Sequence, residues 1–213
     1  AMPWIDRVPA VLEAWFSGSE AGNALADVVF GAVNPSGKLP FTFPVRLEDN
    51  GAHALGEYPG ADKVKYNESI FVGYRWHDKE QLKPLFAFGH GLSYTAFAVG
   101  NVKADRTTLA PNGSIRISAD VTNTGDRAGA EVVQLYIGDE QSSLPRPVKE
   151  LKGFQKVSLN PGQTRTVTFE ITPGMLQYYD DAKGAWVAEP GAFTAYVGAA
   201  SDDIRGTVEF ELK

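Results

Sequence analysis

The side chains of this chain that could do chemistry are its carboxylates and histidines, and their spacing matches no reaction motif. Asp180–Asp181 and Asp202–Asp203 are adjacent acidic pairs in turn-like sequence, where aspartate commonly caps the backbone of the turn. The three histidines have spacings that fit no local metal motif: His53, His77 and His90. Cysteine is absent, which excludes thiolate metal ligands and a disulfide framework. We therefore expect no metal and no cofactor, and a structural role for both acidic pairs.

Aromatic side chains are further candidates, because a tryptophan ring can stack on a flat ligand or anchor a core. Trp4 and Trp15 fall in an apolar stretch, which favours the core role. Trp186 lies in a predicted hairpin and is the better candidate for the surface. Glu20 stands between two predicted helices, where a carboxylate can serve as a cap or a first-turn charge without further function. His90 has a glycine on each side, which favours a packing role over catalysis.

Composition and charge narrow the classes of protein. The chain has 213 residues, of which 43% are hydrophobic and 22% charged, a balance typical of a folded globular protein. The formal net charge of −6 disfavours binding to nucleic acid. No apolar run reaches the length of a membrane span, and no segment resembles a signal peptide. The lack of cysteine is compatible with a periplasmic or secreted bacterial protein, which we favour, and also with a cytoplasmic one.

The first part of the chain has the periodicity of two short helices. Apolar residues at helical spacing predict one helix between Val8 and Phe16, ending at Gly18. A second helix is predicted over residues 21–29 and is closed by Gly31. Both helices are apolar on most sides, so we expect a larger body to cover them.

The middle part, from residue 34 to about residue 96, is rich in glycine, proline and aromatic residues and has little periodicity. A stretch of this length without regular structure favours either a functional loop or a segment that wraps over another surface. The alternation between Ile70 and Trp76 is compatible with a short strand. An aromatic cluster that must be covered follows it: Phe86, Phe88, Tyr94 and Phe97.

The last part alternates like a set of strands separated by turn residues. Its periodicity predicts a two-sheet β-sandwich. We expect the charges of Lys149, Glu150 and Lys152 to form a solvent-facing strand, and Gly125 to supply a positive φ in its turn. The predicted strands number seven: residues 99–104, 114–123, 131–139, 149–159, 164–171, 192–198 and 207–212.

Four stretches, in order, resemble the C-terminal region of glycoside hydrolase family 3, the family of many bacterial β-glucosidases. They read VLEAWFSGSEAGNALADVVFGAVNPSGKLPFTFP, YNESIFVGYRWHD, FAFGHGLSYTAF and VTNTGDRAGAEVVQLYIGD followed by RPVKELKGFQKVSLNPGQT. The resemblance implies a mainly β chain, in which an immunoglobulin- or fibronectin type III-like β-sandwich follows the C-terminal segment of an α/β sandwich domain. It implies three regions: the α/β piece over residues 1–45, a connecting segment over 46–96 and the fibronectin-like domain over 97–213.

The resemblance also implies where the chemistry lies. In that family the nucleophilic aspartate belongs to a barrel domain and the acid/base glutamate lies upstream of the first stretch, so no catalytic residue is carried over. The chain would then be a scaffold in a retaining β-glucosidase that hydrolyses terminal β-D-glucosyl residues of a β-glucoside or oligosaccharide. Its partners would be the barrel and α/β domains of the same enzyme. Trp15 and Glu20 are the candidates for positions near the substrate, although Phe16-Ser17-Gly18 replaces the family's usual Tyr-Pro-Gly turn.

Two alternatives remain open at this point. A non-catalytic carbohydrate-binding or interaction module would need a row of exposed aromatic residues on one sheet face, and the alternation offers no obvious row. A homodimer is the other open alternative, because a chain with uncovered apolar helices can also cover them with a second copy.

Overall fold

The computed structural model describes residues 1–213. A helix-poor leading segment, residues 1–96, precedes a β-rich region that begins with the first strand at Phe97. The helices are α1 Ala21–Val29, α2 Gly51–Ala54, α3 Tyr74–Lys79 and α4 Pro173–Leu176, with 3₁₀ turns at Ile5–Arg7 and Leu47–Asp49. The strands are β1 Phe97–Ala104, β2 Thr108–Leu109, β3 Ile115–Asn123, β4 Gly129–Asp139, β5 Glu150–Leu159, β6 Thr164–Ile171, β7 Tyr178–Asp180, β8 Ala185–Val187, β9 Gly191–Ala200 and β10 Asp203–Leu212. None of the helices combines the length and the hydrophobicity that a membrane span requires.

Two sheets form the β-sandwich that the sequence predicts. One has three strands in the order β1-β3-β6, and the other has five in the order β2-β10-β9-β4-β5. All pairings are antiparallel except the short one between β2 and β10. A separate two-stranded hairpin, β7–β8, belongs to neither sheet. The mainly β fold class and all seven predicted strands are confirmed. The three shortest strands, β2, β7 and β8, were not among them, although a hairpin was predicted around Trp186.

The core of the sandwich follows from the period-two alternation of its strands. In β3, the residues from Ile115 to Val121 alternate between buried and less buried positions, as a strand with one inward face requires. β6 alternates in the same way and pairs with β3 along its length. Burying each such side chain contributes about 1.5–3 kcal/mol. The buried apolar side chains include Leu109, Ile117, Val133, Leu135, Val167, Phe169, Phe193, Val197 and Phe210.

The predicted helix between Val8 and Phe16 does not form. Only the 3₁₀ turn Ile5–Arg7 precedes an irregular run, and Val8 has extended dihedrals of φ −129° and ψ 138°. The residue before a proline is pushed toward such an extended conformation, and Pro9 follows Val8. A helix this short also needs packing partners to be stable, and the chain supplies few. The second prediction is confirmed, because α1 spans Ala21–Val29 and Gly31 follows it with φ +78°.

The predicted strand between Ile70 and Trp76 is also wrong. α3 begins at Tyr74, directly after Gly73, whose φ of +57° and ψ of −129° suit glycine alone. This glycine interrupts the extended run and turns the chain into the helix. α3 then buries Trp76 and His77 on its inner side, so the apolar residues serve helical packing.

The leading segment covers the outer face of the five-stranded sheet, the face opposite the core. Gln134 and Tyr136 point to this face, because their neighbours Val133 and Leu135 point into the core. Tyr74 lies against Tyr136 with ring centroids 5.7 Å apart, and its Oη accepts a hydrogen bond from the backbone N–H of Leu151 at 2.9 Å. The two parts of the chain therefore share an aromatic interface rather than a flexible linker.

A glutamine side chain joins the same two parts. Gln134 donates from Nε2 to the carbonyl of Gly89 at 3.2 Å and to that of Ala199 at 2.6 Å, and it accepts from the Tyr136 hydroxyl. Gly89 combines a φ of +81° with a position at which a Cβ would lie 2.2 Å from Gln134 Oε1. Only glycine fits at this contact, which brings backbone directly onto the sheet.

Ion pairs also stabilise the interface between the leading segment and the sheet. The prediction that Lys149, Glu150 and Lys152 form a solvent-facing strand is therefore wrong. Lys149 is 7% exposed and donates to Asp78 Oδ2 of α3 at 2.6 Å. Glu150 accepts from Arg146 at 2.6 Å and also pairs with Arg75 at 3.1 Å. Burial alone would raise the pKa of Glu150, but the hydrogen bond from Arg146 and the surrounding cations outweigh it, so this pKa is lowered. These residues are an ion-pair network between the two parts and not a solvated strand.

The turn after β3 depends on a buried asparagine. Asn123 is fully buried, donates from Nδ2 to the carbonyls of Arg127 and Leu159, and accepts at Oδ1 from Thr95 Oγ1. The expected positive φ at Gly125 is wrong, since its φ lies outside the left-handed region. Gly125 is required instead by close approach, because a Cβ there would lie 2.2 Å from Thr95 Oγ1 and 2.9 Å from the nitrogen of Ala96.

Replacing Gly125 with alanine tests this steric account. The added Cβ forces the leading segment away from the turn, so we expect the unfolding midpoint of Gly125→Ala to fall by about 5 °C, corresponding to roughly 1–3 kcal/mol of overpacking. Gly174→Ala is the matched control, because the nearest atom to its Cβ is 3.9 Å away and its φ is not positive. Equal melting temperatures for the two variants would contradict the account.

A double-mutant cycle tests the Lys149–Asp78 pair. Lys149→Met leaves the carboxylate of Asp78 unpaired at a side chain only 21% exposed. We expect a loss of about 2 kcal/mol in urea unfolding, less than for a fully buried pair. Adding Asp78→Asn should recover part of this loss, because no uncompensated charge remains. Lys213→Met, which removes an exposed pair with Glu211, is the control and should change stability by less than about 0.5 kcal/mol. Strict additivity in the cycle would show that the pair does not couple the two parts.

Candidate functional site

The leading segment exposes a large set of apolar side chains, which we call the open apolar side chains. α1 has no buried residue at all, although its sequence is AGNALADVV. Thirteen large apolar side chains between residues 4 and 47 are exposed. Together they expose an area on the order of 1,000 Å², whereas the largest apolar patch on a monomeric protein usually measures a few hundred Å². They are Trp4, Val8, Val11, Leu12, Trp15, Phe16, Leu25, Val29, Phe30, Val33, Phe41, Val45 and Leu47.

Trp15 lies at the outer end of a row of aromatic rings in successive contact, which we call the aromatic file: Trp15, Phe41, Phe43, Phe86 and His90. Its ring meets the edge of Phe41 at a centroid distance of 5.4 Å, and Phe41 lies 4.8 Å from Phe43. Phe43 contacts Phe86 at 6.2 Å, and Phe86 stacks on His90 at 5.4 Å. The file runs from the exposed loop to the region beside the sandwich. It fixes the position of a tryptophan that is still 50% exposed.

The backbone of Trp15 is strained. Its φ is +50°, a left-handed value that is uncommon for a residue with a bulky side chain. Its N–H donates to Glu13 Oε1 at 3.1 Å, which satisfies the group locally. Such strain costs on the order of 1–3 kcal/mol and is found mainly where function or a neighbouring surface requires it. Both rings are exposed within this chain, so the core role predicted for Trp4 and Trp15 requires a covering surface that these residues do not supply.

Glu20 precedes α1 and is held by a neighbour within the helix. Its Oε2 accepts from Asn23 Nδ2 at 2.6 Å, and its side chain makes no capping bond to the backbone. Phe16, in the same loop, is fully exposed. No hydrogen bond joins Trp15 to Glu20, although both lie in the loop before α1. Their position near a substrate stays a prediction.

A glycosidase needs two carboxyls across the scissile bond, one of which holds its proton. A cleft of about 430 Å³ between α3 and the β9–β10 turn has Asp78 and Asp202 in its lining. Asp78 forms an ion pair with Lys149 at 2.6 Å. Burial raises the pKa of Asp139, but this carboxylate is engaged by the N–H of Gln141 and by Arg146 and lines neither of the two main clefts. These carboxyls do not form the pair that hydrolysis requires.

The remaining acidic and histidine residues have structural surroundings. Asp180 Oδ1 accepts from the N–H groups of Ala182 and Lys183, which confirms its expected role as a turn cap. Asp203 forms an ion pair with Arg205. His77 is buried with Nδ1 3.0 Å from the carbonyl of Gly73, so this nitrogen carries the proton and donates. The stacking of His90 on Phe86 fits its expected packing role. No group of three or more potential ligands is placed to hold a metal ion.

Sequence reasoning missed the aromatic file, although a signal was present. Phe41 and Phe43 alternate around Thr42 between two prolines, which is the pattern of a short extended segment. In the structure, Phe43 bridges to Phe86 as an isolated antiparallel pair. The pairing depends on a contact across more than forty residues, which periodicity along the chain does not encode.

Comparison with known proteins gives two family matches and many similar proteins. Residues 1–94 match the glycosyl hydrolase family 3 C-terminal domain, and residues 131–201 match the fibronectin type III-like domain. The chain is 53% identical over 213 residues to beta-glucosidase BoGH3A of Bacteroides ovatus and 50% identical over 204 residues to thermostable beta-glucosidase B of Acetivibrio thermocellus. It covers 28% and 27% of the length of these two proteins, so it spans about a quarter of the relatives that it matches.

Solved structures agree with these matches. A beta-glucosidase from Kluyveromyces marxianus in complex with glucose superposes with a TM-score of 0.90 at 42% identity, covering 99% of this chain and 25% of that one. DesR, a beta-glucosidase from Streptomyces venezuelae, gives a TM-score of 0.92 at 40% identity over the whole chain and 27% of its own length. With its fold, its motifs and these similarities in agreement, the chain belongs to glycoside hydrolase family 3, with the features of that family's C-terminal domain and of its fibronectin type III-like domain.

Proposed function

We propose that this chain is the scaffold of a retaining β-glucosidase whose catalytic carboxyls are supplied by other parts of the same protein. In this proposal residues 1–45 complete an α/β sandwich domain, residues 46–96 connect, and residues 97–213 form the fibronectin-like domain. The intact enzyme hydrolyses terminal β-D-glucosyl residues of β-glucosides or oligosaccharides. Support for the activity comes from the relatives, which carry the name beta-glucosidase.

The open apolar side chains are the observation that carries this proposal. Exposing them to water is unfavourable by about 25 cal/mol per Å², so an area on the order of 1,000 Å² represents a driving force of tens of kcal/mol for a covering surface. α1 in particular has no buried residue. A further domain of the same polypeptide is the occupant that the length of the relatives supports, since this chain matches only about a quarter of each.

The sandwich acts as a brace in this proposal. The Tyr74–Tyr136 contact, the Gln134–Gly89 bond and the Lys149–Asp78 pair fix the leading segment on the five-stranded sheet. A catalytic domain that packs on the open apolar side chains is thereby held by a body that cannot rotate freely. Bracing rather than chemistry is the role that these contacts support.

Trp15 and Glu20 are the residues that we place nearest to the substrate. The aromatic file presents Trp15 at the outer surface, and the strained backbone supports a role beyond local packing. Glu20 follows in the same loop with its carboxylate exposed. Both side chains can therefore contact a substrate or a domain that lies against this loop.

A carbohydrate-binding module is the alternative function. It would need several exposed aromatic rings aligned on one sheet face. The exposed aromatic side chains after residue 97 are Phe154 on β5 and the pair Tyr179 and Trp186 on the β7–β8 hairpin. Neither main sheet therefore carries such a row. A homodimer that covers the open apolar side chains remains the alternative partner arrangement.

Activity and dye binding together test the scaffold role. We expect the isolated chain of residues 1–213 to release no nitrophenol from a nitrophenyl β-glucoside and to bind a hydrophobic dye through its open apolar side chains. The natural full-length protein should hydrolyse the same substrate and bind the dye weakly, because its other domains cover the surface. Replacing Phe16 and Phe30 with serine in the isolated chain should reduce the dye signal. Turnover by the pure isolated chain would refute the proposal.

Substitution of Trp15 in the full-length protein tests its position near the substrate. Removal of a ring that stacks on sugar should raise KM about three- to tenfold, with a melting temperature close to that of the unchanged protein. Trp4→Ala is the matched control, because Trp4 is an exposed tryptophan of the same segment. A lowered melting temperature with unchanged KM in Trp15→Ala would assign the ring to domain packing. Glu20→Gln applies the same comparison to the second candidate.

A further inference from the structure

The β7–β8 hairpin carries an aromatic pair that the proposed scaffold role does not use. Tyr179 and Trp186 are direct cross-strand partners, with ring centroids 5.7 Å apart in an edge-to-face arrangement. They are 53% and 65% exposed, and no hydrogen bond engages the Tyr179 hydroxyl. The hairpin pairs with neither main sheet, so its outer side faces solvent.

Stabilisation of the hairpin explains part of this arrangement, since a cross-strand aromatic pair favours the hairpin over the open chain. The inner side of the hairpin, however, has anchors of its own. Tyr178 is buried, its hydroxyl lies 3.0 Å from Ser143 Oγ, and the guanidinium of Arg146 lies over its ring at 5.1 Å. Asp180 caps the turn through two backbone N–H groups. The outward faces of Tyr179 and Trp186 are thus available for another contact.

The exposed area of Tyr179 and Trp186 limits the size of the surface that can bind to them. Two rings that are a little more than half exposed offer roughly 200 Å², from the 150–250 Å² that each aromatic side chain can bury. A stable protein interface needs about 800 Å² from each partner. The pair is therefore too small for a protein partner and matches the face of one or two flat rings.

The acidic residues around Tyr179 and Trp186 disfavour anionic ligands and favour an uncharged one. The hairpin and its flanks carry Asp180, Asp181 and Glu189 against the single ammonium of Lys183. This acidic surrounding repels the phosphates of nucleic acids and of anionic lipids. A pyranose ring is uncharged, its C–H face is apolar, and its hydroxyl groups hydrogen-bond to carboxylates and to a tyrosine hydroxyl.

We propose that Tyr179 and Trp186 form a contact surface for a β-glucan chain, with the two rings packing on the C–H faces of its pyranose units. The choice of β-glucan rests on the proposed function, since the similar proteins are β-glucosidases. The surface holds a chain of sugar units close to the protein and has no part in bond cleavage. It is confined to the hairpin and needs no row of aromatic residues on a main sheet.

Affinity electrophoresis of the natural full-length protein tests the surface, with the soluble β-glucan laminarin as the probe. The unchanged protein should be retarded in gels that contain laminarin, and Trp186→Ala should weaken the apparent affinity about three- to tenfold. Tyr179→Ala should weaken it in the same direction, and Trp186→Phe should retain most of the retardation. Phe154→Ala is the matched control, because Phe154 is 67% exposed on β5 without an aromatic neighbour, and it should migrate like the unchanged protein.

Hydrolysis of a nitrophenyl β-glucoside by the same samples separates this inference from the proposed function. Unchanged hydrolysis in Trp186→Ala together with weaker retardation supports the contact surface. Equal retardation of Trp186→Ala and the unchanged protein, or an equal loss in Phe154→Ala, overturns it. Absence of retardation in an active unchanged protein also overturns it. Absence of hydrolysis in the unchanged protein counts against the proposed function instead. Matching melting temperatures confirm that each variant is folded.

Discussion

The contact between Tyr74 and the outer face of the five-stranded sheet is the interaction on which the rest of the structure depends. Gly73 turns the chain so that α3 starts there, and Tyr74 packs between Phe88 and Tyr136. Without this contact, the ion pairs of α3 with β5 would lose their alignment, and the segment that carries the aromatic file would lose its support. Burial raises the pKa of Tyr136 far above its usual value, which keeps its hydroxyl protonated as the donor to Gln134. The sandwich has a complete core of its own, and its five-stranded sheet holds the exposed leading segment in a defined position.

The sequence predicts the sandwich well because its signals are local. β3 and β6 show period-two alternation, and turns such as the one at Gly162, with φ +74°, have residues that suit them. Short strands such as β2 escaped prediction, since two residues cannot display a period. Lys149 was misread as a surface charge because its partner, Asp78, lies seventy-one positions away in the chain. Periodicity describes which face a residue occupies and not what covers that face.

The leading segment was harder to predict, because its conformation depends on contacts that are distant in sequence or lie outside these residues. The helical spacing between Val8 and Phe16 describes residues that must be covered, but Pro9 and the lack of a packing partner prevent a helix. The strained conformation of Trp15 could not be read from composition. Outside the leading segment, the sequence predicted a surface position for Trp186 on β8, and the ring is exposed there.

The independence of the β7–β8 hairpin has a consequence for how proteins of this kind can diverge. No ladder hydrogen bond ties the hairpin to either main sheet, and only its inner side is anchored. Its four-residue tip, from Asp181 to Gly184, can therefore lengthen or change composition without altering the register of any core strand. Within the tip, Gly184 has a φ of +61° and therefore favours glycine, whereas the core strands make no demand on the other tip side chains. The hairpin is a natural point at which related chains acquire different recognition properties on an unchanged frame.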